Sequence, residues 1–186
     1  MRIIGGKNKG KKINLPNDKN TRPLRDIVKE SIFNLIENSN KFNVKINNSY
    51  ILDLFSGSGS FGLECISRGA KNVTFIENYK EALKILSKNI FSIKADNNSQ
   101  IIDENCFDYF SKINKPSNKF NIIFLDPPYK EKKINLVIDQ IKEKQILEDD
   151  GILIIHRHKK DDNEITGNLN ILDSRYYGIS KIIFGN

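Results

Sequence analysis

The sequence has little cysteine. Among its 186 residues there are two, Cys65 and Cys106, which fall in segments of helical pattern and show no C-x-x-C spacing. A disulfide scaffold or a structural zinc site needs several cysteines at short spacings, so this pattern argues against both. We expect two reduced thiols.

Long apolar runs are also missing. No segment approaches the roughly 18 apolar residues of a membrane span, and residues 1–16 lack the apolar stretch of a signal peptide. We therefore expect a cytoplasmic protein. The sequence contains no internal repeat and no linker, and its length suits one substantial core. We predict a single domain over residues 1–186, with an N-terminal extension at 1–40 and a core at 48–186.

Positive charge is concentrated near the N-terminus. The formal net charge is +7, and residues 1–25 contain eight basic side chains and one acid, whereas the remainder has 22 of each sign. A basic segment on a neutral body is typical of a protein that binds a polyanion, because each phosphate contact releases counterions. The alternative is a solvated tail that aids solubility. The candidate contacts are Arg2, Lys7, Lys9, Lys11, Lys12, Arg22 and Arg25.

Strand-like and helical patterns alternate along the chain. Residues 1–15 alternate weakly and are broken by glycines, which predicts an open hairpin, and residues 21–38 carry apolar side chains at helical spacing. The later alternation predicts an α/β fold, with a mostly parallel sheet covered by helices on both faces. Two runs around Tyr177 and Gly178 should pair as a C-terminal antiparallel hairpin. The other strand-like runs are 50–55, 72–77, 99–103, 120–126 and 151–158.

A glycine motif follows the first of these strands. Gly57, Gly59 and Gly62 satisfy G-x-G-x-x-G between a strand and a helix, and Glu77 ends the next strand, where a carboxylate can accept hydrogen bonds from ribose hydroxyls. Both NAD and S-adenosylmethionine fit that pattern. Asp53, inside the first strand, would repel a pyrophosphate but suits a ligand with an ammonium and a sulfonium, which favours the second ligand. A glycine-rich turn without a ligand is the alternative.

The stretch "FLDPPYK", residues 124–130, follows the fourth strand and should face the same cleft as the glycine motif. Pro127 and Pro128 lack N–H groups, so a stiff loop presents carbonyl oxygens and the Asp126 carboxylate as acceptors, which suit an NH₂ group. Tyr129 offers a flat face on which a base can stack. The alternative is a rigid turn that ends a strand.

Four stretches together resemble a known family. Residues 52–64 and 124–129 look like class I S-adenosylmethionine-dependent methyltransferases that modify exocyclic or amide nitrogens. The four stretches are residues 1–13, 21–36, 52–70 and 124–129. In this order and at this length they resemble the RsmD family, which methylates the N2 of a guanine in bacterial 16S ribosomal RNA. The resemblance runs over nearly the whole chain and is strongest for residues 1–80 and 120–130.

The resemblance implies a fold and a set of site residues. The fold is a Rossmann-like class I methyltransferase fold with a seven-stranded sheet, and the cofactor is S-adenosylmethionine. The partner is 16S ribosomal RNA or a small-subunit assembly intermediate, and we expect a monomer without a metal ion or a membrane partner. The implied cofactor-binding residues are Asp53, Phe55, Gly57, Gly59, Glu77, Asn105, Cys106 and Asp126. The implied catalytic residues are Asp126, Pro127 and Tyr129.

Two positions depart from the family pattern. Asn105 stands where relatives often have an acid near the adenine, although an amide oxygen can still accept from the adenine amine. "HRH", residues 156–158, ends a strand that commonly finishes with an acid, which leaves the contacts of that strand open. We interpret His156 and His158 as lying on opposite faces of the strand, which argues against a shared metal ion.

Other functions remain open on the residues alone. Methyltransferases of adenine N6 in DNA or RNA and of protein glutamine use similar loops, and the basic N-terminus together with the resemblance favours RNA. A non-enzymatic module that binds RNA or a nucleotide is a second alternative, which the intact Asp-Pro-Pro-Tyr sequence argues against. An NAD-dependent dehydrogenase is a third, but the core occupies nearly all 186 residues and leaves no room for a substrate domain.

Overall fold

The computed structural model describes residues 1–17, 24–113, 119–128, 130–161, 165 and 169–186. The helices are α1 (Asp26–Asn38), α2 (Ser60–Ser67), α3 (Lys80–Ser92), α4 (Cys106–Lys112) and α5 (Ile134–Glu143). The strands are β1 (Tyr50–Leu54), β2 (Asn72–Glu77), β3 (Ser99–Asp103), β4 (Phe120–Leu125), β5 (Leu147–His158), β6 (Ile171–Tyr177) and β7 (Ser180–Gly185). A short 3₁₀ helix, Asp96–Asn98, precedes β3.

The strands form one seven-stranded sheet in the order β3-β2-β1-β4-β5-β7-β6. The pairs among β1 to β5 are parallel, whereas β7 runs antiparallel to both β5 and β6. Parallel neighbours need crossover connections, and the intervening helices supply them. The predicted mostly parallel seven-stranded sheet with a C-terminal antiparallel hairpin is therefore confirmed.

Helices cover both faces of this sheet. Successive residues of a strand point to opposite faces, so Ile122 and Phe124 of β4 join one buried cluster while Ile123 and Leu125 join the other. The first cluster contains apolar side chains from α1, α2 and α3, and the second contains those from α4 and α5. This two-sided burial explains why the central strands are near-continuous apolar runs in the sequence.

β1 and β4 each end one residue earlier than predicted, and two other elements begin several residues away from their predicted start. The helix expected within residues 21–38 begins at Asp26, after an extended Arg25, and residues 21–23 lie outside the described part of the chain. β5 begins at residue 147 and not at 151, because a bulge shifts its register against β4 between Phe120 and Ile122. The bulge places polar residues 148–150 in the strand, so this part of the strand has no apolar pattern in the sequence.

The N-terminal residues form the expected hairpin, and it packs on the core. Ile3 N donates to Lys11 O at 2.9 Å, and Gly10 N donates to Ile3 O at 2.8 Å. Ile3 and Ile13 are fully or almost fully buried in the cluster that contains α2 and α3. The basic side chains of this segment are therefore carried on a fixed hairpin and not on a free tail.

One buried acid on α2 anchors the hairpin. Glu64 is 0% exposed, and its two carboxylate oxygens accept from the backbone N–H groups of Ile4 at 2.8 Å and Gly5 at 2.7 Å. The Lys29 ammonium lies 3.5 Å from the same carboxylate, and Arg68 Nε donates to it at 2.9 Å. Burial lowers the pKa of Lys29, although the charge of Glu64 opposes that shift. These contacts join the hairpin, α1 and α2 into one unit.

The described helices include none long and apolar enough to cross a membrane. Cys65 lies within α2 and Cys106 begins α4, and both thiols are free and buried. Burial raises the pKa of each thiol, with a smaller contribution from neighbouring acids. Both groups are thus protonated and packed as small apolar side chains.

Candidate active site

A cleft of about 650 Å³ opens where β1, β2 and β4 end. Its walls come from the loop between β1 and α2, the end of β2, the start of α4 and the segment after β4, with Leu15 and Leu24 closing one side. This is the edge of an open parallel sheet at which ligands bind. The glycine motif and the Asp-Pro-Pro stretch meet here because β1 and β4 are adjacent and parallel.

The glycine loop is shaped for close approach. Gly57 has φ +56° and lines the cleft, and a Cβ at this position would meet nothing within 4 Å, so the space beside it is open to a ligand. Gly62 serves packing instead, since a Cβ there would lie 2.3 Å from the Phe75 ring of β2. Its N–H donates to Asp53 Oδ2 at 3.0 Å. The first glycine thus shapes the ligand side of the loop, and the third lets α2 approach the sheet.

Glu77 braces the loop at the end of β2. Its Oε2 accepts from Gly57 N at 2.7 Å, and its Oε1 accepts from Asn78 N at 2.9 Å and Tyr79 N at 2.8 Å. A carboxylate has about four acceptor sites, so these three bonds leave capacity for about one hydrogen bond from a ribose hydroxyl. The predicted ribose-binding residue therefore lies at the cleft wall and also holds the glycine loop in position.

Asp53 is a buried acid at the base of the cleft, with 1% exposure. Burial raises its pKa well above the usual range, the hydrogen bond from Gly62 opposes the shift, and the nearby charges of Asp126 and Glu77 add to it. Three carboxylates thus line the cleft, and two of them raise the pKa of the third. Such a site gains from a cationic ligand and repels an anionic one.

Two aromatic rings and Asn105 form another wall. Phe55 and Phe107 contact edge to face with ring centroids 6.3 Å apart. Phe55 has φ +61°, a conformation that non-glycine residues rarely adopt and that concentrates at functional sites. Asn105 Oδ1 accepts from Phe107 N at 2.9 Å as the N-cap of α4, so the amide oxygen expected to meet an adenine amine already has one partner. The buried Cys106 side chain packs in the core, and a contact of this residue with the cofactor stays a prediction.

The loop after β4 carries the predicted acceptors. Asp126 lines the cleft with its side chain 19% exposed, and Pro127 is buried while Pro128 is exposed. Asp126 Oδ1 lies 2.8 Å from Nδ1 of His156 on β5. Tyr129, the predicted stacking residue, lies outside the described residues. The structure therefore brings Asp126 and Pro127 to the same cleft as Glu77 and Gly57.

Comparisons with known proteins agree with this arrangement. The family model described as Conserved hypothetical protein 95 matches residues 1–186.

The chain belongs to that family.

Two curated relatives carry the same name, Ribosomal RNA small subunit methyltransferase D. The Escherichia coli protein is 31% identical over 83% of this chain and 73% of its own length. The Haemophilus influenzae protein is 33% identical over 86% of this chain and 79% of its own length. The solved structure of Escherichia coli yhhF gives a TM-score of 0.82 at 26% identity, covering 100% of this chain and 96% of that one. The resemblance to the RsmD family and the class I methyltransferase fold are thereby confirmed.

In this member of the family, the basic side chains predicted to contact RNA lie in more than one region. Lys7, Lys9, Lys11 and Lys12 are exposed on the hairpin, whose turn meets the end of α2, where Lys7 N donates to Ser67 O at 2.8 Å. The cleft lies at the other end of α2, eight residues and about 12 Å away.

The remaining basic candidates lie elsewhere. Arg2 faces Asp26 with Nε and Oδ2 3.8 Å apart, and both side chains are exposed. Arg25 is exposed beside the β6–β7 turn, where a Cβ on Gly178 would lie 3.8 Å from Arg25 Nη1. Arg22 lies outside the described residues.

Sequence reasoning missed the contribution of β5. His156 and Arg157 both reach the loop after β4. The order of the strands could have indicated this contact, because Leu125 pairs with Ile155 and Asp126 therefore comes beside His156. The interpretation that His156 and His158 lie on opposite faces was wrong. Both belong to the regular part of β5, where residues two apart share a face.

Proposed function

We propose that this protein transfers a methyl group from S-adenosylmethionine to the exocyclic N2 of a guanine in 16S ribosomal RNA. The observation that carries the proposal is that three carboxylates, those of Asp53, Glu77 and Asp126, line one cleft. They favour a ligand with an ammonium and a sulfonium over one with a pyrophosphate. The names of the relatives support ribosomal RNA of the small subunit as the substrate.

The cleft residues divide the work of holding the cofactor. Glu77 would accept a hydrogen bond from a ribose hydroxyl. Asp53, whose pKa is raised by burial, would become the counter-charge of the ammonium end once that cation is bound beneath the loop. Phe55 and Phe107 offer apolar surface to the adenine. When bound, S-adenosylmethionine supplies an electrophilic methyl group on its sulfonium.

The loop after β4 would prepare the amine. The lone pair of a guanine N2 is delocalised into the ring, so the site must favour a pyramidal nitrogen that is aimed at the methyl group. The Asp126 carboxylate and the Pro127 carbonyl would accept hydrogen bonds from the two N–H groups of this amine. The bond to the carboxylate becomes stronger as the nitrogen becomes cationic. Stacking of the extruded base on Tyr129 stays a prediction from the sequence. Positioning and electrostatics carry the rate in this scheme.

We further propose that residues 1–40 hold the RNA while residues 48–186 carry out the transfer in a single chain. The exposed lysines of a fixed hairpin support this, because they present charge without first having to order a tail. Lys7 and the cleft lie at opposite ends of α2, so one extruded nucleotide cannot span them. The substrate is therefore a folded or extended RNA that covers both regions.

Methyl transfer to ribosomal RNA tests the proposal. Ribosomal RNA and small subunits from a strain that lacks the endogenous enzyme are incubated with the protein and radioactive S-adenosylmethionine, and the modified nucleotide is mapped. We expect one N2-methylguanine in 16S RNA. Label in adenine, in protein or in DNA would replace the proposed substrate with another amino group. Cofactor binding without transfer to any of these would favour a non-enzymatic binding module.

A further inference from the structure

The end of β5 holds the loop after β4 by a buried histidine. His156 is 7% exposed, its Nδ1 lies 2.8 Å from Asp126 Oδ1, and its Nε2 lies 2.9 Å from Oγ of Ser180 on β7. Ser180 is itself 2% exposed. The imidazole thus bridges the cleft carboxylate and a buried hydroxyl across three neighbouring strands. Both ring nitrogens are engaged, which fixes the orientation of the ring.

The hydrogen bonds assign the protons. An ionised carboxylate can only accept, so Nδ1 is the donor to Asp126. In the neutral ring Nε2 then accepts from the Ser180 hydroxyl. With the proton on Nδ1, both ring nitrogens, the Asp126 carboxylate and the Ser180 hydroxyl thus have a hydrogen-bond partner. The Asp126 carboxylate thus selects the tautomer, and the Ser180 hydroxyl, which can donate or accept, donates to Nε2.

The next residue holds the backbone of the same loop from the opposite face of β5. Arg157 is 2% exposed, and its Nη2 donates to Glu131 O at 2.9 Å while its Nη1 lies 3.5 Å from Pro128 O. Its Nε pairs with Asp161. Asp126 is therefore tied to β5 by its side chain, and Pro128 and Glu131 are tied to it by their backbone carbonyls. A loop held at both places has little freedom to turn the carboxylate.

We propose that His156 is a positioning residue for methyl transfer. By engaging Oδ1 it keeps the Asp126 carboxylate in one rotamer, so that Oδ2, which accepts from none of the described residues, is presented to the target amine. His156 touches neither substrate nor cofactor in this role and acts through Asp126. The inference rests on the proposed function, since the amine is the group that Asp126 would receive.

Two substitutions of opposite character test this role. His156→Leu keeps roughly the volume but removes the donor, whereas His156→Asn loses volume but keeps an amide N–H on the Nδ1 side. We expect His156→Leu to lower single-turnover methyl transfer about 10- to 100-fold, as is usual when a group that orients a functional side chain is removed. His156→Asn should recover most of that loss, to within about fivefold of the parent protein. Affinity for S-adenosylmethionine should stay within about threefold in both.

The two variants also separate positioning from packing. A purely structural histidine would make the smaller, polar Asn the worse replacement, with the lower melting temperature and the lower rate. The proposal predicts the opposite order for the rate. It is overturned if His156→Leu transfers methyl within about threefold of the parent, or if His156→Asn is no faster than His156→Leu.

A measurement that needs no activity keeps the inference apart from the proposed function. Nitrogen-15 NMR of the ring should show the neutral His156 of the parent protein protonated on Nδ1. Protonation on Nε2 would overturn the assignment whatever the enzyme does. If the parent shows the Nδ1 tautomer but transfers no methyl group to ribosomal RNA, the proposed function fails and the role in methyl transfer fails with it, while the contact with Asp126 stands.

Discussion

Glu77→Gln is the sharpest test of how the cleft holds a ligand. The carboxylate accepts from three backbone N–H groups, those of Gly57, Asn78 and Tyr79, so Glu77→Ala would loosen the glycine loop as well as remove the ribose contact. Gln keeps the length of the side chain and one acceptor oxygen. Its amide oxygen can still serve Asn78 and Tyr79, which places the NH₂ group opposite Gly57.

The expected loss follows from these contacts. The variant loses the hydrogen bond from Gly57 N and one charge-assisted hydrogen bond to the ribose. The ribose bond alone is worth about 1.5–3 kcal/mol, which is about a 10- to 150-fold weaker affinity for S-adenosylmethionine. A ligand at about 100 times its Kd stabilises the parent protein by about 2.7 kcal/mol. At that same concentration a variant with 100-fold weaker binding gains only about 0.4 kcal/mol. The ligand-induced rise in melting temperature should therefore almost disappear.

Calorimetry and thermal shift check this result on one preparation. Glu81 is an exposed acid in the first turn of α3 that pairs with Lys84. Glu81→Gln is the matched control and should bind the cofactor like the parent. A folded Glu77→Gln protein whose Kd stays within about threefold of the parent value would refute the ribose contact. Tight NAD binding by the parent without S-adenosylmethionine binding would refute the assignment of the whole cleft.

Four other changes test the remaining parts of the molecule. Asp126→Asn removes an acceptor that matters most as the amine becomes cationic, so single-turnover transfer should fall about 100- to 1,000-fold while cofactor affinity is kept. Asp53→Asn should weaken cofactor binding by about 1.5–3 kcal/mol and raise the melting temperature at neutral pH. Burial raises the pKa of Asp53 in the folded state. The stability that the protonated Asp53 contributes is therefore present at low pH and lost as pH rises through the folded-state pKa. Asn does not ionise, so the variant avoids this loss. Glu64→Gln should lower the free energy of unfolding, measured by chemical denaturation, by about 3–5 kcal/mol, because buried charge is left uncompensated. Lys9→Gln with Lys11→Gln should weaken RNA binding and flatten its salt dependence without changing cofactor affinity.

Each of these changes has an outcome that contradicts it. Transfer by Asp126→Asn within about threefold of the parent would show that another group accepts from the amine. An unchanged or lower melting temperature for Asp53→Asn would mean that the buried charge is compensated. A loss below about 1 kcal/mol for Glu64→Gln would make the hairpin anchor a minor contact. The control for the hairpin pair is Lys112→Gln with Lys142→Gln on α4 and α5, and an equal salt slope in both pairs would remove the hairpin from the RNA surface.

Local patterns were enough to predict the order and kind of the elements. β2 and β3 have the bounds expected from the sequence, Asn72–Glu77 and Ser99–Asp103. β2 is a buried, mostly apolar run between polar residues, and the edge strand β3 has two isoleucines between polar residues. Helices such as α3 follow from apolar side chains at a spacing of three and four residues. β5 resisted the same reasoning, since its bulge places acids 149 and 150 inside the strand.

The position of the site was also predictable, since it depends on topology. Alternating strands and helices require a parallel sheet, and the loops after its strands share one edge. The glycine loop after β1 and the Asp-Pro-Pro loop after β4 therefore had to face each other once those strands were neighbours, as Ile51 and Ile122 show by their pairing. Residue chemistry then indicated the kind of ligand, through Asp53 and Glu77.

Tertiary structure alone decided which side chains meet at that edge and what holds the N-terminus. His156 reaches Asp126 across 30 residues of sequence, and Glu64 captures the backbone of Ile4 and Gly5 across about 60. Such partners depend on strand register, on side-chain rotamers and on how α2 packs against the hairpin. None of these features produces a periodic pattern of residue types in the sequence. The sequence by itself determined the fold and the place of the cleft, because both follow from local periodicity and chain connectivity. The functional groups pair only in the folded protein, because tertiary packing brings together residues that are distant in the sequence.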